Sequence, residues 1–110
     1  MATQEQIAEL FTNMKDNFQP GKAEGVDAVI QFDLEGEGGG QYWVKVADGT
    51  CDVGEGAADN PRMTVKTTAD MWWEIANGRV NVMQAFMGGK LKVQGDMNLG
   101  MKMQGMFGMV

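Results

Sequence analysis

Residues 85–102 read AFMGGKLKVQGDMNLGMK, and this stretch decides the fold of the chain. The Gly88-Gly89 pair predicts a turn that leads into a strand at 90–94, where apolar and basic residues alternate. Asp96 follows the strand and can cap a final helix. A turn, a strand and a capped helix in such close succession indicate that both α and β elements build this end of the molecule.

The final helix has an unusual composition. The residues on its largest apolar side are Leu99, Met103, Met106, Phe107 and Val110. Met97 and Met101 fall on other faces, so the helix is apolar on more than one side. Three glycines each disfavour it by about 1 kcal/mol relative to alanine. We therefore expect a helix that is held by packing, with a frayed tail beyond residue 104.

Hydrophobic periodicity predicts the other elements. Thr3 with Gln6 can form a capping box at the start of the first helix, and Thr68 can cap the second. Asp48-Gly49 is a hairpin signal between two strands. In chain order the predicted elements are a helix at 4–18, strands at 26–35, 41–47, 50–55 and 63–67, helices at 69–76 and 81–87, the strand at 90–94 and the final helix.

The strand at 26–35 shows the clearest alternation. One side carries Ala28, Ile30, Phe32 and Leu34, and the other carries Gln31, Asp33 and Glu35. A strand with one apolar and one polar side is half buried. Short turns join the first three strands, which predicts an antiparallel meander. The whole element order predicts an α+β fold in a single domain, residues 1–110.

Composition excludes several classes of function. With 110 residues and a net charge of −6, the chain lacks the basic footprint that nucleic-acid binding requires. It has neither histidine nor serine, so Ser–His, Cys–His and histidine–metal sites are excluded. Cys51 is interpreted as a small strand hydrophobe. No apolar run approaches the roughly 18 residues of a spanning helix. No catalytic residue, metal ligand or cofactor is predicted.

Two patterns that look functional favour plainer interpretations. The acidic residues that invite a metal hypothesis are Asp33, Glu35, Asp52, Glu55 and Asp59. They lack EF-hand spacing, and we interpret them as surface charge. The glycines of GEGGG at 36–40 are flanked by strands on both sides rather than by a strand and a helix, which argues against a nucleotide-binding loop.

The stretch at 85–102 resembles the signature of the sterol carrier protein 2 family, the sterol-transfer domain. The residues in register with that signature are Phe86, Gly89, Lys90, Leu91, Lys92, Val93, Gly95, Met97, Leu99, Met101 and Lys102. The resemblance is moderate from Met63 to Arg79 and weak in the first helix. The pair Val82-Met83 departs from the family, which commonly has Pro-Gln there.

The resemblance implies both fold and function. It implies a five-stranded, mainly antiparallel sheet covered on one face by helices, with an apolar cavity between them. It also implies a non-enzymatic carrier that binds and transfers hydrophobic lipids: fatty acids, fatty acyl-CoA or sterol-like molecules. We expect transient membrane contact and a monomer or weak homodimer. The terminal FGMV is not an SKL-type peroxisomal address, which favours a stand-alone, cytoplasmic, prokaryotic member or a piece of a longer chain.

Candidate site residues follow from the apolar faces and the resemblance. Eleven methionines suit a cavity for ligands of differing shape, because methionine is flexible and polarizable. The candidate lipid-binding residues are Trp72, Ile75, Met83, Phe86, Met87, Met97, Leu99 and Met101. The candidate headgroup or membrane contacts are Arg79, Lys90, Lys92 and Lys102. Trp72 and Trp73 diverge by about 100° on a helix, so we expect one to be buried and the other partly exposed.

The sequence is also compatible with two other functions. The first is an interaction or dimerisation module whose pocket is filled by its own C-terminal methionine-rich helix. The second is an enzyme that uses carboxylates, although no paired constellation of acidic residues appears. A lipid that co-purifies with the protein would favour the carrier over the interaction module.

Overall fold

An antiparallel meander forms the first part of the sheet. The computed structural model describes residues 2–107, and in it β1 spans Ala28–Glu35, β2 Gly40–Ala47 and β3 Thr50–Glu55. Asp48 and Gly49 join β2 to β3, and both have positive φ, 52° and 73°. Two-residue hairpins favour this backbone, since its twist matches that of the flanking strands. The predicted meander and hairpin are confirmed.

Two further strands complete the sheet on the other side of β1. β4, Met63–Thr68, pairs in parallel with β1, and β5, Lys92–Gly95, pairs antiparallel with β4. The strand order is β3-β2-β1-β4-β5, so β3 and β5 are the edge strands. The predicted five-stranded, mainly antiparallel sheet is confirmed, although β5 starts two residues later than the alternation indicated.

Four α-helices follow the predicted order, and capping side chains define where each begins. They are α1, Gln4–Asp16; α2, Ala69–Ala76; α3, Val82–Met87; and α4, Met97–Met106. At α1 the Gln6 amide donates to Thr3 Oγ1 (3.1 Å), and the Thr3 amide donates to Gln6 Oε1 (2.9 Å). Asp96 caps α4 by accepting from the amides of Asn98 and Leu99. Within residues 2–107 no helix has the length and apolarity needed to span a membrane.

The core lies between the sheet and the helices. The inward side chains of β1, which are Ala28, Ile30, Phe32 and Leu34, are all buried as predicted. From α1, the ring of Phe11 stacks on Tyr42 at 4.5 Å and meets Phe32 edge-on at 5.2 Å. These contacts fix the helical layer over the centre of the sheet and leave the β4–β5 edge to α2, α3 and α4.

One outward residue of β1 does not face solvent. Gln31 is only 5% exposed, because the loop after β3 folds over it. Its Nε2 donates to the carbonyl of Gly56 (3.1 Å), and its Oε1 accepts from the amide of Ala58 (2.8 Å). The polar side of β1 is therefore partly covered, and Gln31 is buried on it although the alternation places it opposite the apolar residues. The side chain replaces its hydrogen bonds to water with bonds to the loop.

The end of α4 is also better ordered than its glycines indicate. Met106 is completely buried, and Phe107 packs its ring 5.7 Å from that of Phe18. The amide of Gln19 donates to the carbonyl of Met106 (2.8 Å), so the segment after α1 holds the last turn. The predicted fraying is wrong for residues 105–107, and residues 108–110, with Val110 among them, lie outside the described part.

Candidate functional site

An apolar pocket lies where α2, α3 and α4 cover the β4–β5 edge of the sheet. Its volume is about 130 Å³, and it opens to solvent. Its lining residues are Met63, Val65, Trp72, Val82, Met83, Phe86, Leu91, Val93, Met97, Gly100, Met101, Met103 and Gln104. Among these residues Gln104 alone has a polar side chain apart from the Trp72 indole nitrogen. The pocket can therefore hold an apolar molecule by burial, and its lining offers no group for covalent chemistry.

Strand alternation builds the floor of the pocket. Val65 of β4 and Val93 of β5 are directly paired, and both face the helices. α4 crosses this floor closely because residue 100 is glycine. A Cβ at Gly100 would lie 3.2 Å from Sδ of Met63 on β4, which is tighter than an ordinary contact. The missing side chain thus allows the helix to approach the sheet beside the pocket.

Trp72 forms the inner wall and carries an unpaired donor. The residue is completely buried, and its ring centroid lies 4.9 Å from that of Phe32. Its Nε1 has no hydrogen-bond partner among the described residues. A buried unpaired donor costs about 1–3 kcal/mol. The neighbouring Trp73 is half-buried, which confirms the expected division between the two tryptophans.

Exposed methionines surround the opening. Large hydrophobic side chains left exposed within residues 2–107 are Met83, Met87, Met97 and Met101. Three of them line the pocket, whereas Met87, at 80% exposure, lies on α3 outside it. All four belong to α3 and α4, so the exposed apolar surface is concentrated beside one opening rather than scattered over the molecule.

The structure brings together five of the eight candidate lipid-binding residues. The five that line the pocket are Trp72, Met83, Phe86, Met97 and Met101. Ile75 and Leu99 are buried in the core away from the lining, and Met87 is exposed outside it. The lining residues that sequence reasoning missed include Met63 and Val65. The alternation of β4 gives the signal that could have found them, since both occupy its buried side.

The four candidate headgroup residues are not gathered at the pocket. Arg79 contacts the Glu74 carboxylate at 3.4 Å. Lys102 is exposed on α4. Lys90 and Lys92 line a second groove together with Lys66, and neither belongs to the lining of the apolar pocket.

The groups with shifted pKa values lie elsewhere in the fold. Burial and, to a lesser extent, the Asp52 carboxylate together raise the pKa of the Cys51 thiol to about 11, with Lys15 partly opposing them. Burial and the Glu55 carboxylate also raise the pKa of Tyr42. Cys51 is buried on β3, as expected of a small strand hydrophobe. In the described part of the chain no three His, Cys, Asp or Glu residues cluster in a way that could hold a metal ion.

Comparison with known proteins agrees with this architecture. The sequence profile of the SCP-2 sterol transfer family matches residues 7–108. The chain belongs to the SCP-2 sterol transfer family. Domains of the SCP-2 family bind lipids and are not themselves catalytic. The resemblance at residues 85–102 is thereby confirmed.

The curated relatives that this chain matches are much longer than the chain itself. Hydroxysteroid dehydrogenase-like protein 2 of Bos taurus is 29% identical over 99 residues, which are 89% of this chain and 24% of that protein. The chain thus spans about a quarter of the length of the curated relatives it matches.

Solved structures share the fold at low sequence identity. A palmitated SCP2L2 from Aedes aegypti superposes with a TM-score of 0.70 at 23% identity, covering 84% of this chain and 86% of that one. A double mutant of the sec-alkyl sulfatase PisA1, an enzyme of Pseudomonas sp., superposes with a TM-score of 0.82 at 20% identity, covering 91% and 16%.

Proposed function

We propose that this protein binds acyl lipids non-covalently in the apolar pocket and carries them between sites in the cell. The observation that carries the proposal is the pocket itself, which is almost wholly apolar, open to solvent and rimmed by exposed methionines. A molecule that reacts with its ligand would need a titratable or nucleophilic group in the lining. The absence of such a group from the lining residues supports a carrier.

Fatty acids and fatty acyl-CoA are the proposed ligands. Flexible methionines can adapt to a chain that has many conformers, and each buried methylene contributes roughly 0.8 kcal/mol. The palmitated relative from Aedes aegypti supports this choice. Sterol-like molecules are rigid and demand a preformed shape, so we propose them as weaker ligands.

The pocket must enlarge when a long chain enters. At about 130 Å³ it is well below the roughly 300–1,000 Å³ of ordinary small-molecule sites. A cavity of about 150 Å³ takes only a benzene-sized guest. We propose that α4 moves, because the helix contains Gly100 and Gly105 and borders the opening.

Native mass spectrometry of the purified full chain is the first test. We expect a stoichiometric adduct that can be extracted and identified, or an apo protein that takes up added palmitate or palmitoyl-CoA. Palmitate entry should also change tryptophan emission, since Trp72 lines the pocket. A protein that carries no lipid and binds neither ligand at high micromolar concentration would rule out the carrier function.

A matched pair of variants tests the location of the site. Met83→Gln makes the lining of the pocket polar at a side chain that is 43% exposed, and should weaken palmitate binding about fivefold. Met71→Gln makes the same chemical change on α2, at a half-buried methionine outside the lining. Its palmitate affinity should stay within about twofold of the original protein. Equal losses of palmitate affinity in the two variants would mean that the ligand binds outside this pocket.

A second candidate function is an interaction module. The small volume of the pocket favours it, because Met97, Met101 and Met103 of α4 already line that space. The relatives in which the domain is a minor part of a longer protein also favour it. A concentration-dependent oligomer without bound lipid, measured by size-exclusion chromatography with light scattering, would support this function over the carrier.

The carrier proposal extends to membrane contact, oligomeric state and location. We propose transient contact with membranes, a monomer or weak homodimer, and a cytoplasmic location. Met87 and Lys102 lie on the two helices beside the opening and are proposed to meet a lipid surface. Flotation with phosphatidylcholine vesicles, with and without palmitate loaded in the protein, measures that contact directly.

A further inference from the structure

A basic groove lies outside the apolar pocket, along the same edge of the sheet. Its volume is about 380 Å³, and it is lined by Glu35, Lys66, Thr67, Thr68, Gly89, Lys90, Lys92 and Gln94. Val65 of β4 and Val93 of β5 line the apolar pocket. Lys66 follows Val65 on β4, and Lys92 precedes Val93 on β5. Successive residues of a strand point to opposite faces of a sheet, so the groove and the apolar pocket lie on opposite faces of the sheet at β4 and β5.

Two of these lysines are placed directly opposite each other. Lys66 on β4 and Lys92 on β5 are Cα partners in the antiparallel pair. Like charges in this arrangement destabilise a sheet unless a counter-charge lies between them. Lys90 adds a third ammonium group to the groove. The Thr67 hydroxyl donates to the Lys90 carbonyl (2.8 Å) and so fixes the backbone that carries it.

In the described part of the chain, no carboxylate forms an ion pair with these three lysines. The ion pairs in the described part of the chain are Lys15–Asp52 and Arg79–Glu74, and neither involves the groove. Glu35 is the one acidic residue that lines it. Asp33 on β1 is the Cα partner of Lys66, but its Oδ1 accepts from the side-chain Nε2 groups of Gln31 and Gln41, each at 3.3 Å.

Lys45 shows the ordinary arrangement on this sheet. It is exposed on β2, and its Cα partner on β3 is the acidic Asp52. The pairing of Lys66 with Lys92 is therefore not a general feature of the strands. It stands out further because the chain carries a net charge of −6.

We propose that Lys66, Lys90 and Lys92 form a binding site for a multiply charged phosphate group. Lysine ammonium groups bind phosphates as point charges, and several of them converge here on one concave surface. Two sources share this chemistry: a free polyphosphate, or the phosphorylated head of an amphiphile whose tail enters the apolar pocket around the edge strand β5. The groove lies outside that pocket, so phosphate binding does not depend on the proposed carrier function.

Titration of the full chain with inorganic pyrophosphate at low ionic strength tests the site. We expect saturable binding by calorimetry and a rise in Tm, both of which weaken as salt screens the lysines. The double variant Lys66→Gln with Lys92→Gln should lose about tenfold in affinity. The matched control Lys45→Gln removes one charge elsewhere on the sheet and should stay within about twofold.

A second readout tests the like-charge pair itself. Lys92→Gln alone should raise the Tm of the anion-free protein, since it removes the repulsion across β4 and β5, and should reduce the rise caused by pyrophosphate. No binding at millimolar pyrophosphate, or an equal loss in Lys45→Gln, would overturn the proposal.

Paired amphiphiles distinguish the two sources. Dodecyl phosphate and dodecanol have the same tail, so their difference in affinity reports the phosphate alone. If the double lysine variant binds dodecyl phosphate and dodecanol with equal affinity, the groove binds the phosphate head of a lipid whose tail lies in the apolar pocket. If pyrophosphate binds equally well to palmitate-loaded protein, the source is a free anion. Failure of both, with dodecanol still bound, would refute the groove and leave the lipid pocket standing.

Discussion

At the scale of single residues, the unpaired indole nitrogen of Trp72 has the clearest consequence. Trp72→Phe removes that donor while it keeps an aromatic ring against Phe32. We expect the free energy of unfolding to change by less than about 1.5 kcal/mol, because loss of an unsatisfied donor offsets lost volume. Trp72→Ala should cost about 3–5 kcal/mol. Chemical denaturation of both variants measures this difference.

Ligand binding by the same variant tests whether the nitrogen contacts a lipid. If the pocket enlarges and the indole donates to a ligand oxygen, Trp72→Phe should weaken dodecanol binding several-fold more than dodecane binding. An equal change for the two ligands would mean that Trp72 contributes only shape.

Cys51 gives a prediction for alkaline pH. Its pKa is raised to about 11 in the fold, from about 9, so the native thiol keeps its proton where the unfolded thiol ionises. The contribution of the Cys51 thiol to the free energy of unfolding should therefore be fully present below about pH 9. It should be lost as the pH rises from about 9 towards about 11. Cys51→Ala should remove this part of the slope in denaturation measured across that range. An unchanged slope would assign the alkaline loss to other groups.

At the scale of secondary-structure elements, α4 depends on its N-cap more than a helix rich in alanine would. Asp96 accepts from the amides of Asn98 and Leu99, while Gly100 and Gly105 weaken the helix behind it. Asp96→Ala should lower the free energy of unfolding by about 1 kcal/mol. It should also speed lipid release, if α4 opens the pocket. Asp96→Asn keeps a capping oxygen and serves as the control.

Hydrogen exchange separates local opening from global unfolding in this variant. Asp96→Ala should increase exchange in α4 more than in β1, because the cap acts on the helix alone. An increase of equal size throughout the chain would mean that α4 does not open independently.

At the scale of the whole molecule, lipid loading should stabilise the fold. A ligand that binds only the native state adds about 2.7 kcal/mol at a hundred times its Kd. Palmitate added to delipidated protein should therefore raise Tm in a concentration-dependent way, and Met83→Gln should reduce that rise. A constant Tm under conditions that give a palmitate adduct would place the adduct outside the pocket.

Local signals in the sequence predicted most of this architecture. The capping box at Thr3, the hairpin at Asp48-Gly49 and the alternation of β1 all act between near neighbours in the chain, so their effects can be read from short windows. The family resemblance supplied the five-stranded, mainly antiparallel sheet with helices on one face, but not the strand order. Five of the candidate pocket residues lie together because α2, α3 and α4 converge on one edge of that sheet.

The features that were missed depend on contacts between distant segments. Gln31 is buried by a loop more than twenty residues away, as its bond to Gly56 shows. Met106 is held by Gln19 from the other end of the chain. The pairing of Lys92 with Lys66 needed the register of β5 against β4, which a lone strand of alternating residues does not reveal.

The distribution of methionines makes the opening of the pocket the part of the molecule most sensitive to oxidants. Met83, Met97 and Met101 surround the pocket in contact with solvent, whereas Met63 and Met106 are buried. Peroxide converts accessible thioethers to polar sulfoxides, so the rim should change before the core. A preparation aged in air would keep its circular dichroism spectrum while its capacity for lipid declined. Peptide mass spectrometry followed by methionine sulfoxide reductase would show whether that capacity returns.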